Sequence, residues 1–257
     1  MNLNLDNKNY IVSGSSRGIG LAIARILLQE GAQVMITGRN KEDVASVVNN
    51  FSNRFPGKVY GQAGDLNDPK VLSQLKVFVA TKWKILHGII ANAGAVKKVQ
   101  NWDVPESDWE WFYSVNFKVT VNFVTNFIPN LKEATGAAIV VISSIAGVEE
   151  VGAPIPYSTA KAAINMYAKG LSKRLAPFGI RVNTVAPGNV IFPGGNWDKK
   201  LITNPDGIKK MLEEKVPLNQ FGSPDDIGNI TAFLMSEKSK FITGSCLIVD
   251  GGQTSIV

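Results

Sequence analysis

The sequence predicts an α/β fold: one domain over residues 1–257, a seven-stranded parallel sheet, doubly wound and flanked by helices. Three observations carry this expectation. Short runs rich in β-branched residues alternate with helix-length segments along the whole chain, the rhythm of βαβ units. Several of these runs are apolar without alternation, as in strands buried on both faces. A glycine-rich turn links the first run to the first helix, the arrangement of a nucleotide-binding α/β sheet. Right-handed crossovers restrict the topology to a doubly wound sheet. At 45% hydrophobic residues, the 257-residue chain has material for one large core.

The elements follow in order. NYIVS (9–13) is the first strand, with a helix over 18–30 behind it. AQVMIT (32–37) is the second, then a helix over 41–54, the strand KVYGQ (58–62) and a helix over 68–83. LHGIIA (86–91) is the fourth strand, and the pattern over 105–133 reads as one long helix. AAIVVIS (137–143), a helix over 154–177 and IRVNTV (180–185) come next. A helix over 224–236 and the strand SCLIVD (245–250) close the series. Residues 188–216, rich in Gly, Pro and Asn, interrupt the rhythm and are expected to form an irregular substrate lid.

Composition narrows the function. Apolar runs such as Ala137 to Ile142 are too short to span a bilayer, and MNLNLDNKNY lacks the pattern of a secretion signal, so no membrane partner is expected. The net charge of +6 is dispersed in pairs such as Lys97/Lys98 and Lys209/Lys210, which does not suit a nucleic-acid arm. The single cysteine, Cys246, forms no internal disulfide and fits a reducing, cytoplasmic setting. The single histidine, His87, stands where a strand begins, and a structural role is expected for it. No cluster of metal ligands is visible, so no metal is expected.

The turn after the first strand is Gly14-Ser15-Ser16-Arg17-Gly18-Ile19-Gly20. Glycine there permits a tight turn and close approach of backbone to ligand, and the following helix offers free N–H groups to a pyrophosphate. At the end of the second strand, a ribose-binding carboxylate would indicate NAD. Gly38 and Arg39 stand there instead, and Arg17 lies in the loop. Two guanidinium groups and no acid suit the extra 2′-phosphate of NADP(H).

Taken together, the motifs resemble those of the short-chain dehydrogenase/reductases, a Rossmann-fold family, over essentially the whole chain. The resemblance rests on Gly14-x-x-x-Gly18-Ile19-Gly20, Asp65-Leu66, Asn92-Ala93-Gly94, Asn116 in SVNF, Ser143-Ser144, Tyr157-x-x-x-Lys161 and Pro187-Gly188. It implies that Asp65 and Leu66 bind the adenine, Asn92 and Gly94 floor the cofactor, and Pro187, Gly188 and Val190 hold the nicotinamide amide. It also implies a catalytic set of Asn116, Ser144, Tyr157 and Lys161, and a homotetramer, with a dimer as the alternative. Two positions depart from the family: Ala91 replaces an Asn, and Phe192 stands where a Thr often lies.

Tyr157 and Lys161 are four residues apart and leave one face of a helix. A phenol with a pKa of ~10 is a poor acid–base catalyst at neutral pH, and a nearby ammonium is expected to lower it. Tyr157 then serves as general acid toward a ketone oxygen, with Ser144 holding that oxygen. Lys161 grips the nicotinamide ribose, and Asn116 supports a proton-resupplying water chain, as the resemblance implies. Trp109, Trp111, Phe112 and Tyr113 are expected in helix packing and subunit contact. The substrate expected is a small-molecule ketone or secondary alcohol. The alternative is a 3-oxoacyl-[acyl-carrier-protein], disfavoured by few basic residues before the fifth and sixth strands and by Glu149 and Glu150. A non-catalytic NADP(H)-sensing scaffold is the alternative of another class, which the intact set of site residues opposes.

Overall fold

The structure, a computed structural model, describes residues 2–99 and 102–255. Its strands are β1 Asn9–Val12, β2 Gln33–Gly38, β3 Val59–Ala63, β4 Gly88–Ala91, β5 Ala138–Ile142, β6 Arg181–Pro187 and β7 Cys246–Val249. They form one all-parallel sheet in the order β3-β2-β1-β4-β5-β6-β7. The helices are α1 Gly18–Gln29, α2 Lys41–Arg54, α3 Pro69–Lys82, α4 Glu106–Phe112, α5 Val119–Leu131, α6 Ile155–Leu175, α7 Asn196–Thr203, α8 Pro205–Lys215 and α9 Pro224–Met235.

The apolar runs are explained by two cores, one on each face. Tyr10, Val12, Val34, Ile36, Ile90, Val140 and Ile142 enter the core beneath α1, α2 and α9. Their neighbours Ile11, Met35, Ile89, Ala91, Ile139 and Val141 enter the opposite core beneath α3, α5 and α6. Successive side chains of a strand point to opposite faces, so a doubly covered strand is apolar along most of its length. Helix starts are set by short polar side chains. The Asn40 carbonyl oxygen accepts from Asp43 N (2.8 Å), the Asp68 carboxylate from Lys70 N (2.8 Å), and Ser223 forms a capping box with Asp226.

Two segments differ from the expectation. The single helix expected over 105–133 is α4 and α5 joined by a π-helical turn, Tyr113–Lys118, which turns Asn116 fully inward. Such widened turns recur at functional sites and leave no mark on hydrophobic periodicity. The lid is also helical where irregularity was expected, over α7 and α8. Asn204 caps α8 by accepting from Gly207 N (3.1 Å), and Pro205 is its first residue. Residues that read as loop-formers are here helix-starters.

His87 has the structural role expected. Its Nδ1 accepts from Asn9 N at 3.0 Å, at the edge where β1 meets β4. Burial, reinforced by Lys8, lowers its pKa from 6.5 to about 4. The unfolded chain therefore binds a proton that the folded protein refuses. The stability due to neutral His87 is present above pH 6.5 and falls as pH drops towards about 4. Thermal melts across this window should show a slope that flattens in His87→Gln; equal slopes would exclude His87 as its source.

Candidate active site

The strand order reverses between β1 and β4, and the chains part at their carboxyl ends to open a cleft. Its floor is a knot of hydrogen bonds. Ser13 Oγ accepts from Asn92 N (2.8 Å) and Ala93 N (2.9 Å). Asn92 Nδ2 donates to the carbonyls of Ser13 and Gly14, both at 3.0 Å. Gly14 (φ +61°) and Gly18 (φ +55°) take the left-handed backbone that glycine tolerates. A Cβ on Gly20 would stand 2.5 Å from Asn92 Nδ2, so the start of α1 presses directly on the floor.

The cleft holds about 350 Å³ and is lined by Gly14, Ser16, Arg17, Arg39, Asp65, Leu66, Asn92 and Gly94 among the expected residues. Arg17 and Arg39 are exposed and make no ion pair among the described residues. Ser15, Gly18, Ile19 and Gly20 do not line it. Ser15 is fully buried, donates to Val12 O (2.7 Å) and accepts from Thr37 N (2.9 Å), so it ties β1 to β2. Ile19 packs against the core instead. Pro187, Gly188 and Val190 also lie apart from this cleft, at the β6 end, where Gly188 N donates to Val249 O (2.9 Å). Sequence reading missed Asn40, Asp43, Asn67, Val115 and Val119 in the lining. Asn40 and Asp43 were detectable as the cap and first turn of α2.

Beyond the cleft, the expected catalytic residues converge. Asn116 Oδ1 accepts from Ala95 N (3.1 Å), and its Nδ2 donates to Ala95 O (2.9 Å) and Phe112 O (3.0 Å). A Cβ on Gly94 would stand 2.8 Å from Asn116 Oδ1 and 3.4 Å from Lys161 Nζ, so glycine there lets the two groups approach. Lys161 is buried, and its Nζ donates to Ile142 O at 3.0 Å. Ser143 Oγ donates to Lys161 O (3.2 Å), a structural use of that hydroxyl. Ser144 accepts from Ala146 N (3.1 Å). The Tyr157 ring meets the buried Phe112 edge-on, with centroids 6.4 Å apart. The aromatic cluster around Phe112 therefore reaches the site itself, through packing.

The electrostatics differ from the sequence expectation in one respect. Burial raises the Tyr157 pKa, and the Ser144 side chain beside it pulls the other way. Burial lowers Lys161 to about 8. The ammonium lies 5.7 Å from the Tyr157 ring centroid and is spent on the Ile142 carbonyl, which explains why its pull on the phenol does not prevail. The site at neutral pH thus holds a neutral phenol beside a lysine that is still mainly protonated.

The family model described as enoyl-(acyl carrier protein) reductase matches residues 14–254. Among curated proteins, the 3-oxoacyl-[acyl-carrier-protein] reductase FabG of Aquifex aeolicus is 32% identical over 256 residues, covering 98% of this chain and 100% of the relative. The FabG of Chlamydia muridarum is 34% identical over 254 residues, with 98% and 100% covered. Dehydrogenase/reductase SDR family member 4 of Bos taurus is 31% identical, covering 98% of this chain and 88% of the relative. Among solved structures, L-sorbose reductase from Gluconobacter frateurii, complexed with NADPH and L-sorbose, superposes over 100% of both chains with a TM-score of 0.93 and 25% identity.

Of the five tyrosines, Tyr10, Tyr157 and Tyr167 are raised by burial, Tyr167 to about 12. Tyr157→Phe should therefore leave the ultraviolet tyrosinate titration unchanged below pH 10.0. Loss of a titrating group below that pH would show that the Lys161 charge outweighs burial.

Proposed function

The chain belongs to the short-chain dehydrogenase/reductase family, and from that premise we propose that it reduces a free ketone with NADPH, Tyr157 delivering the proton. It is an NADP-dependent oxidoreductase of CH–OH/C=O groups, similar to 3-oxoacyl-[acyl-carrier-protein] reductases. The observation that carries the proposed mechanism is the neutral, partly buried Tyr157 phenol between Ser144 and Phe112, with Lys161 one helical turn away.

The residues fit the cofactor. The glycine turn brings Gly14, Ser16 and Arg17 into the cleft beside the start of α1, the cleft offers Arg17 and Arg39 to an anion, and no carboxylate stands at Gly38. Asp65 and Leu66 would hold the adenine, Asn92 and Gly94 the middle of the cofactor, and Pro187, Gly188 and Val190 its amide end. Bound NADPH would supply the hydride. Tyr157 gives its proton to the ketone oxygen as negative charge develops there. Ser144 hydrogen-bonds the same oxygen and orients the carbonyl. Lys161, kept protonated at neutral pH, stabilises the phenolate left behind and binds the ribose hydroxyls. Asn116 holds the Ala95 segment against Lys161 and keeps open the route by which the proton is replaced. Tyr157→Phe should lower kcat by about 10²-fold or more while NADPH binding, followed by fluorescence, persists. Retained turnover would remove Tyr157 from the acid's role.

A free ketone is favoured over a carrier-bound one by surface charge. Before β5 and β6, where an acidic carrier would dock, Lys132 Nζ lies 3.6 Å over the half-exposed Phe178 ring. A cation stacked on an aromatic face is a weaker docking point than free basic side chains. Glu150 stays exposed in the loop before Tyr157, and Glu149 accepts from Ser255 N (2.7 Å). The relatives named as carrier-protein reductases favour the second reading, reduction of a 3-oxoacyl group on its carrier. The deciding measurement is kcat/KM for one 3-oxoacyl group on a carrier protein and on a minimal thiol, at two salt concentrations. Similar values are expected. A carrier advantage of about tenfold that collapses with salt would establish the second reading.

We place the protein in the cytoplasm as a homotetramer. The unpaired Cys246 suits a reducing compartment. The partly exposed β7 and the exposed Met166 of α6 offer apolar surface to further copies. Among the described residues, no helix is long and apolar enough to cross a membrane.

A further inference from the structure

Phe192, at the start of the lid, has its ring against Gly18, the first residue of α1. A Cβ on Gly18 would stand 2.7, 2.8 and 3.1 Å from three of the ring carbons. A Cβ on Gly195 would lie 3.1 Å from two of them, and Gly195 N donates to Phe192 O at 2.9 Å. The tip of the ring thus lies against two glycines, and a side chain on Gly18 would have to push it aside. It is partly buried and packs on the core beneath α1 and α9. The lid has two further anchors. Val190 bridges Gly222, with Ile191 N donating to Gly222 O (3.0 Å), and the Trp197 ring lies 5.5 Å from that of Phe221. Phe192 is the anchor that rests on the phosphate loop.

We propose that Phe192 is a latch joining the lid to the phosphate loop, a positioning residue that sets how long NADP(H) stays bound. The inference rests on the cofactor reading above. A diphosphate held by the α1 N-terminus would lie near Gly18, and a ring on that residue would keep water from one side of it, which would strengthen the attraction. The contact is apolar and lacks a polar partner, so the lid is held there by buried area alone. Cofactor exchange then requires the ring to leave Gly18. The lid residues Lys199 and Lys200 on α7 are exposed, which makes trypsin a reporter of the lid's release.

The test compares the unmodified protein with Phe192→Ala and Phe192→Leu in two assays. One is the NADPH dissociation rate by stopped-flow fluorescence; the other is tryptic cleavage at Lys199 and Lys200 without added cofactor. Phe192→Ala should release NADPH about tenfold faster, the equivalent of losing part of a buried aromatic side chain, with Phe192→Leu in between. Cleavage of the lid should accelerate in the same order while the melting temperature holds. An unchanged rate in either assay would overturn the latch. Faster lid cleavage in a protein that fails to bind NADPH even unmodified would instead overturn the cofactor reading, and the proposed role with it.

Discussion

The knot between Ser13 and Asn92 is the constraint on which the site depends. Where β1 and β4 part, the ladder between them ends, and the freed N–H and carbonyl groups need partners. The Ser13 hydroxyl takes two amides of the β4 end, and the Asn92 amide takes two carbonyls of the β1 end. One serine and one asparagine thereby close a gap that would otherwise need water. A buried carbonyl or amide left alone costs about 1–3 kcal/mol, so loss of either side chain exposes several such groups at once. The knot also sets the height of the phosphate loop, because Gly20 rests on Asn92. The Ser15–Thr37 bonds extend the same frame to β2, where Arg39 leaves the sheet.

Asn116 does on the opposite wall what Asn92 does on the floor. A regular helix through residues 113–118 would give the Asn116 side chain another heading; the π turn brings it inward, where three bonds join it to Ala95 and Phe112. Phe112 in turn packs on the Tyr157 ring. The loop after β4, the α4–α5 junction and the first turns of α6 are therefore coupled through one buried amide. Lys161 enters this assembly from α6 and is held at its far end by the Ile142 carbonyl at the tip of β5. The four expected catalytic side chains come from three places in the chain, Tyr157 and Lys161 sharing α6, and each is fixed by backbone groups or by direct packing.

Much of this was legible in the sequence, and the failures have physical causes. The central strands could be read because they are covered on both faces, which leaves an uninterrupted apolar run such as Ile139 to Ile142. The π turn could not, because one extra residue per turn shifts the pattern of Tyr113–Lys118 by less than its irregularity. The lid helices were hidden because Asn204 and Pro205 have the same composition in a loop as at a helix start. Ser15 was assigned to the ligand because motif position says nothing about burial; its hydroxyl belongs to the sheet. The sign of the Tyr157 shift depends on burial against a 5.7 Å separation from Lys161, and neither quantity is present in a four-residue spacing.

That sign bears on the proposed chemistry. Burial moves the two groups towards their neutral forms, which raises the phenol and lowers the ammonium. For the phenol, neutral means proton-bearing. For the lysine, about 8 still lies above neutral pH, so it too retains its proton. Both groups therefore stand loaded, the condition in which Tyr157 can act as an acid toward a ketone. Alcohol oxidation requires the opposite, a phenolate waiting to receive a proton, and the same desolvation opposes that form. Raising the pH populates the phenolate while unloading Lys161, the group that would stabilise it. Burial thus keeps the Tyr157 proton in place until negative charge develops on the ketone oxygen, and it makes the phenolate left behind the stronger base, which the Lys161 charge then has to steady.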